Sequence, residues 1–365
     1  MNGRPSTNWF PALARQLPLW CGFPLLVITS RADEAPQTQL EATGLRFGSV
    51  SMYSENDKYF AGTDEYYTNG FKLSFLSTNL RDFIAAPVPY PVQQVARLLN
   101  PLVPADRDYK LGLSIGQNIY TPSDTNTTAS LPMDRPYAAW LYLGACFQSY
   151  RPARAAAAGP HLFALLDTLE LTLGMVGPDA LGRQIQNGFH HLIGAASANG
   201  WNHQIHDEPG LNLVYQRKFR FATPHARDGW GADFIPHAGM SLGNVFTYLN
   251  AGAEIRAGWR LAADFGTDLI HPSGDSNSPR RPPFSVFLFA ATDGRAVARD
   301  ITLDGNSFRD SARVDKRPLV ADLFGGVAIG TTNWQLTYTE NLRTREFDGQ
   351  QKPAVFGSVS ITLFY

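Results

Sequence analysis

The chain of 365 residues carries only two cysteines, Cys21 and Cys146. Once an N-terminal export segment is removed, Cys146 stands alone, so no internal disulfide is available to hold the fold. Charge is also sparse. Asp, Glu, Lys and Arg make up 17% of the chain and nearly cancel, to a net charge of -1. A near-neutral chain lacks the basic excess of a nucleic-acid-binding protein, so no nucleic-acid partner is expected. Beyond the N-terminus there is no run of about 18 or more apolar residues, which excludes a spanning helix. No H-E-x-x-H segment occurs, which removes the usual zinc-hydrolase helix.

The N-terminus reads as a secretory signal over residues 1–32. Arg4 and Arg15 supply positive charge, Leu17 to Thr29 is an apolar run, and Ser30-Arg31-Ala32 gives a cleavage point. The remaining residues, 33–365, read as one barrel domain. An exported chain without disulfides or spanning helices is either a soluble periplasmic protein or an outer-membrane barrel.

Alternation decides between them. Leu169, Leu171, Leu173 and Met175 alternate with Thr168, Glu170, Thr172 and Gly174. Val359, Ile361 and Leu363 alternate with Ser358, Ser360 and Thr362, and the chain closes on Tyr365. One face small and polar, the other apolar and ending in an aromatic, is the dyad of a strand with water inside and lipid outside. A soluble sandwich alternates too, with its polar face outward. The expected fold is all-β: a transmembrane antiparallel β-barrel of about twelve strands with short helical segments in its loops. The strand segments fall near 45–54, 68–79, 109–120, 136–150, 164–176, 208–223, 233–244, 247–260, 284–300, 318–329, 332–343 and 354–365. Residues 179–200 break the pattern. Ile185, Phe189 and Leu192 have helical spacing, and Gly177-Pro178-Asp179 opens a helix. A shorter helical possibility lies at Val92 to Leu99, and the proline-rich 272–283 reads as loop.

Chemistry concentrates at 55–70. Glu55, Asp57, Asp64 and Glu65 supply carboxylates that suit a hard cation such as calcium. Strand parity puts Asp57 on the inward face with Ser49, Ser51 and Tyr53, and Thr68 inward with Lys72 and Ser74. Asn56 falls on the opposite parity and needs a bulge or its backbone to join them. On the helix, Gln186 and His190 lie four apart and share a face. A histidine there can act as a general base near neutral pH, and His191 competes for that role. Two G-x-S-x-G segments, around Ser114 and Ser241, lie inside alternating strands rather than on a strand-to-helix elbow, so neither serine reads as a nucleophile.

These motifs, taken in order, resemble the lipid A 3′-O-deacylase family of outer-membrane barrels. Carrying the resemblance are Glu55-Asn56-Asp57, Tyr67-Thr68-Asn69-Gly70, Gly116 to Pro122, Asp134-Arg135-Pro136-Tyr137, Gly177-Pro178-Asp179, Gln186-Asn187, His190 and Ile193-Gly194. It runs from about Phe47 to Tyr365. It implies calcium-dependent (Ca2+) hydrolysis of the 3′ acyloxyacyl chain of lipid A in the outer membrane, with His190 activating water. Gln186, Asn56 and Thr68 are the implied catalytic partners, and Asp57 the implied metal ligand. Two positions depart from the family. Its Glu aligns with Ala196, with Glu208 or Asp207 as stand-ins and Glu208 the expected second metal ligand. Its Lys falls near Thr127, with Arg135 or Lys72 as stand-ins. The competing readings are an outer-membrane phospholipid esterase and a non-enzymatic barrel.

Overall fold

The computed structural model describes residues 46–59, 66–79, 107–153, 163–194, 196–267, 269–270 and 281–365. The expected signal segment, the helical possibility at Val92 to Leu99, most of the expected 272–283 loop, Asp64 and Glu65 lie outside them. Twelve antiparallel strands close into a barrel in which each strand pairs with its sequence neighbours and β1 pairs with β12. They are β1 (Phe47–Asn56), β2 (Tyr66–Ser77), β3 (Asp108–Thr121), β4 (Ala138–Arg151), β5 (Ala164–Val176), β6 (Glu208–Ala222), β7 (Trp230–Gly243), β8 (Phe246–Trp259), β9 (Phe284–Asp300), β10 (Leu319–Thr331), β11 (Trp334–Arg343) and β12 (Ala354–Phe364). Every expected strand is present, with ends shifted by no more than three residues.

The dyad explains the wall. In β5, Thr168, Glu170 and Thr172 are buried while Leu169, Leu171 and Leu173 are exposed. Leu143 pairs with Ile115 and Leu173 on the neighbouring strands, and all three face outward into the apolar band. An arginine in that band must give up water without gaining a partner. Leu143→Arg is expected to lower stability by about 2–4 kcal/mol, the cost near a bilayer midplane, read as the denaturant midpoint of the refolded barrel. Aromatics ring the rim where β1 begins and β12 ends: Phe47, Trp230, Phe284, Trp334 and Tyr365 are all exposed there. Such rings sit at headgroup level.

The inner face carries paired charge. Lys72 lies 3.5 Å from Glu170. Asp322 receives Arg295 at 2.6 Å and Arg343 at 2.8 Å. Asp233 receives Arg220 and Arg256, each at 2.7 Å. The described start of the β8–β9 connection, residues 260–267, 269 and 270, folds into the lumen instead of over it. Leu261, Asp264, Phe265, Leu269 and Ile270 are buried. Thr267 N–H donates to Glu254 at 2.8 Å, and Arg281 reaches Asp264 at 3.1 Å. Ile270 lies among Asn118, Trp140 and Tyr142, and its N–H donates to Glu55 at 2.8 Å. The two cavities lined by these residues measure about 30 Å³ each, room for single waters. Among the described residues Cys146 forms no disulfide.

Candidate active site

At the rim opposite the aromatic ring, β1 ends with Glu55 turned inward. Its carboxylate accepts from the Tyr67 hydroxyl at 2.7 Å as well as from Ile270. Asn56, next along, faces the other way. Its side-chain oxygen accepts the Lys58 N–H at 2.8 Å, a local side-chain turn, and opens the single 3-10 turn Asp57–Tyr59. Asp57 is wholly buried at the start of that turn.

β2 supplies the next residue by a register shift. Tyr67 pairs with Tyr120 and Asn69 with Ile119, so Thr68 is an extra residue between them. A bulge of this kind re-aims a side chain. Thr68 Oγ1 lies 2.6 Å from Thr121 Oγ1. Asn118, Trp140 and Tyr142 line the lumen, so Gln117, Ile119 and Thr121 on β3 face outward. The inward placement expected for Thr68 is therefore corrected: the bulge turns it to the outer side of the wall. Asn56 reaches the same side by parity alone.

The helical segment lies on that outer side. A turn at Pro178–Ala180 leads into helix α1 (Gly182–Ile193). Gly194, at φ 71°, ends α1 earlier than the expected 200, with its N–H on the carbonyls of His190 and His191. Gln117 Nε2 donates to the Ala180 carbonyl at 2.6 Å, and Ile119, Ala139, Ala180 and Trp201 form one buried cluster. A Cβ on Gly182 would strike Ala139 and the Trp201 ring, so only glycine lets α1 approach the wall this closely. The inner face of α1 buries Gln186 and His190, and His191 is exposed.

Gln186 Oε1 accepts from the Trp201 indole at 3.0 Å. His190 Nδ1 lies 2.6 Å from the Ala196 carbonyl, and Nε2 lies 3.3 Å from Lys58 Nζ. A carbonyl only accepts, so Nδ1 carries the proton and Nε2 the lone pair. The position where the resemblance implies a glutamate thus orients the histidine through its main chain.

Asn56, Thr68, Gln186 and His190 come to one side of the wall, with Asp57 in the turn that joins β1 to Lys58. The stand-ins do not follow. Glu208 begins β6, five strands round the wall from β1, and both its oxygens are held: Oε1 by Asn244 at 2.9 Å, Oε2 by Ser307 N–H at 2.7 Å and Asn306 at 3.2 Å. It ties loops together, so its expected role as a metal ligand is set aside. Asp207 caps Asp179 N–H at 2.7 Å. Arg135 is bonded to Glu346 and Thr302 at 3.1 and 3.0 Å, and Lys72 sits with Glu170 inside the wall. Thr127 accepts the Ala129 N–H in an exposed loop. Among the described residues, the cation beside His190 is Lys58, which sequence reasoning passed over although it directly follows Asn56-Asp57. Ser114 and Ser241 bond Glu170 and the Phe246 carbonyl within the wall, away from α1. Among the described residues, no three His, Cys, Asp or Glu side chains gather as a metal cluster.

The family model described as outer membrane protein LpxR matches residues 19–365. The chain belongs to the LpxR family of outer-membrane proteins. Among solved structures, LpxR from Salmonella typhimurium superposes with a TM-score of 0.67 at 22% identity, over 87% of this chain and 100% of that one. The β domain of the Bordetella autotransporter BrkA gives 0.41 at 10% identity, over 87% and 99%. A comparison with curated sequences found no match. As an LpxR-family barrel in the outer membrane, inserted from the periplasm with an even strand number, the protein keeps both barrel ends at the periplasmic aromatic rim. The α1 rim then faces outward, at the level of the outer leaflet.

Proposed function

We propose that this LpxR-family member is a lipid A 3′-O-deacylase that hydrolyses the ester with a water activated by His190. The observation that carries the reading is the histidine. One nitrogen is pinned to the Ala196 carbonyl at 2.6 Å, and the other faces the Lys58 ammonium at 3.3 Å. That pair sits on the outer side of the wall, where a lipid arrives without entering the barrel.

His190 Nε2 takes a proton from water as the water oxygen attacks the acyl carbonyl. The carbon–oxygen bond to the sugar breaks, and the proton held at Nε2 passes to the departing sugar oxygen. The products are a fatty acid and a free 3′ hydroxyl. Gln186 and Trp201 hold α1 and so the imidazole against the wall. Thr68 and Asn56 shape the opposite side.

Calcium suits the site through Asp57, a buried carboxylate beside the carbonyls of a tight turn, the hard oxygen donors this ion prefers. When bound there it supplies an electrophile for the acyl carbonyl.

Mass spectrometry of lipid A incubated with the purified protein in mixed micelles tests the reading. Loss of the 3′ acyloxyacyl mass is expected, with phospholipid left intact and serine-directed inhibitors without effect. Lipid A unchanged, or phospholipid cleaved instead, would reject it. A chelator is expected to abolish the product, and added calcium to restore it. Hydrolysis that ignores the chelator would remove the metal and leave His190 in place.

A further inference from the structure

The base at this site is capped. His190 Nδ1 faces a carbonyl, so the lone pair is on Nε2, and Lys58 Nζ lies 3.3 Å from it. An ammonium only donates. Its N–H therefore points into the lone pair that must receive the proton of water. While Lys58 stays there, His190 cannot act on water.

We propose that Lys58 makes His190 conditional on the substrate's own charge: a phosphate beside the scissile ester draws the Lys58 ammonium off Nε2 and frees the base. The inference rests on the deacylation reading above and names what that site selects. The substrate class is an acylated sugar with a phosphate on the carbon next to the ester.

Three features support it. Lys58 is on a flexible four-carbon stem, so its head can swing while the backbone stays put. The turn beneath it is fixed, because Asn56 holds the Lys58 N–H at 2.8 Å and Asp57 is fully buried. The two cations expected as stand-ins are held elsewhere: Arg135 is bonded to Glu346 at 3.1 Å and Lys72 lies 3.5 Å from Glu170. A dianionic phosphate outcompetes a neutral imidazole for an ammonium, because it adds the attraction of opposite charges to the hydrogen bond.

The test compares lipid A with the same lipid stripped of phosphate, using wild type, Lys58→Met and Lys58→Arg. Met keeps much of the stem and cannot donate. Wild type is expected to prefer the phosphorylated lipid by about 10–100-fold, the scale of one hydrogen bond to a charged group. Lys58→Met is expected to bring the two rates together, with hydrolysis of the stripped lipid rising above wild type. Lys58→Arg keeps the preference. Equal slowing of both lipids in Lys58→Met would overturn the proposal and leave Lys58 a general support of the site.

If wild type cleaves neither lipid, the deacylation reading fails separately. The link between Lys58 and the base is then read by NMR of nitrogen-labelled histidine, with the His190 signal assigned by its loss in His190→Gln. Inorganic phosphate is expected to shift the Nε2 resonance in wild type but not in Lys58→Met. A wild-type Nε2 that ignores phosphate would overturn the proposal.

Discussion

His190→Gln is expected to slow lipid A hydrolysis by about 10²–10⁴-fold, the usual contribution of a positioned general base. The fold should survive. The glutamine amide can still donate toward the Ala196 carbonyl that now holds Nδ1 at 2.6 Å, and the end of α1 is capped by main-chain groups of Gly194. Deacylation is followed by mass spectrometry, and folding by the heat-dependent gel shift of the intact barrel. Near-normal hydrolysis by a folded His190→Gln protein would take the base role from His190. His191 would inherit it, although it points about 100° away around the helix and is exposed.

The second large effect is on stability. Asp322→Ala removes the one carboxylate shared by Arg295 and Arg343, at 2.6 and 2.8 Å, and leaves two guanidiniums facing each other inside the wall. Breaking a buried pair by removing one partner costs about 3–5 kcal/mol. Arg343 keeps a longer contact with Glu346, at 3.7 Å, which softens the loss on one side only. The denaturant midpoint of the refolded barrel should fall accordingly, and adding Arg295→Leu should recover part of it. An unchanged midpoint in Asp322→Ala would mean that water already screens these charges.

The wall was readable because water and lipid impose opposite demands on alternate residues. In β5, Leu169 and Thr168 obey that rule, one exposed and the other buried, and strand ends came within three residues. The helix carrying Gln186 and His190 was readable for a similar reason: its spacing breaks the dyad. Parity misled at Thr68. A bulge adds one residue to a strand and inverts the count beyond it, and nothing in Tyr67-Thr68-Asn69 announces where the extra residue sits. Glu208 misled differently. A carboxylate near the right place in sequence began a strand five positions round the barrel, where amide donors from two loops hold it. Lys58 went unremarked because a lone lysine in a polar loop is ordinary until a histidine from a distant segment is set against it. The plug was also hidden. Leu261, Phe265, Leu269 and Ile270 are an unremarkable apolar scatter between two strands, and only the closed barrel shows that they fill its inside.

Placing α1 on the outer side of the wall has a kinetic meaning. On the deacylation reading proposed above, a substrate that meets His190 there need never leave its leaflet. The search is over an area, by sideways diffusion, and ends when a lipid brushes the β1–β4 flank of the cylinder. What sets the encounter rate is then the fraction of lipids in that monolayer that carry the ester, not a concentration in the surrounding water. Diluting the leaflet with inert lipid should slow turnover even when the total amount of substrate in the tube is unchanged. On that reading the freed fatty acid is expected to stay in the same plane.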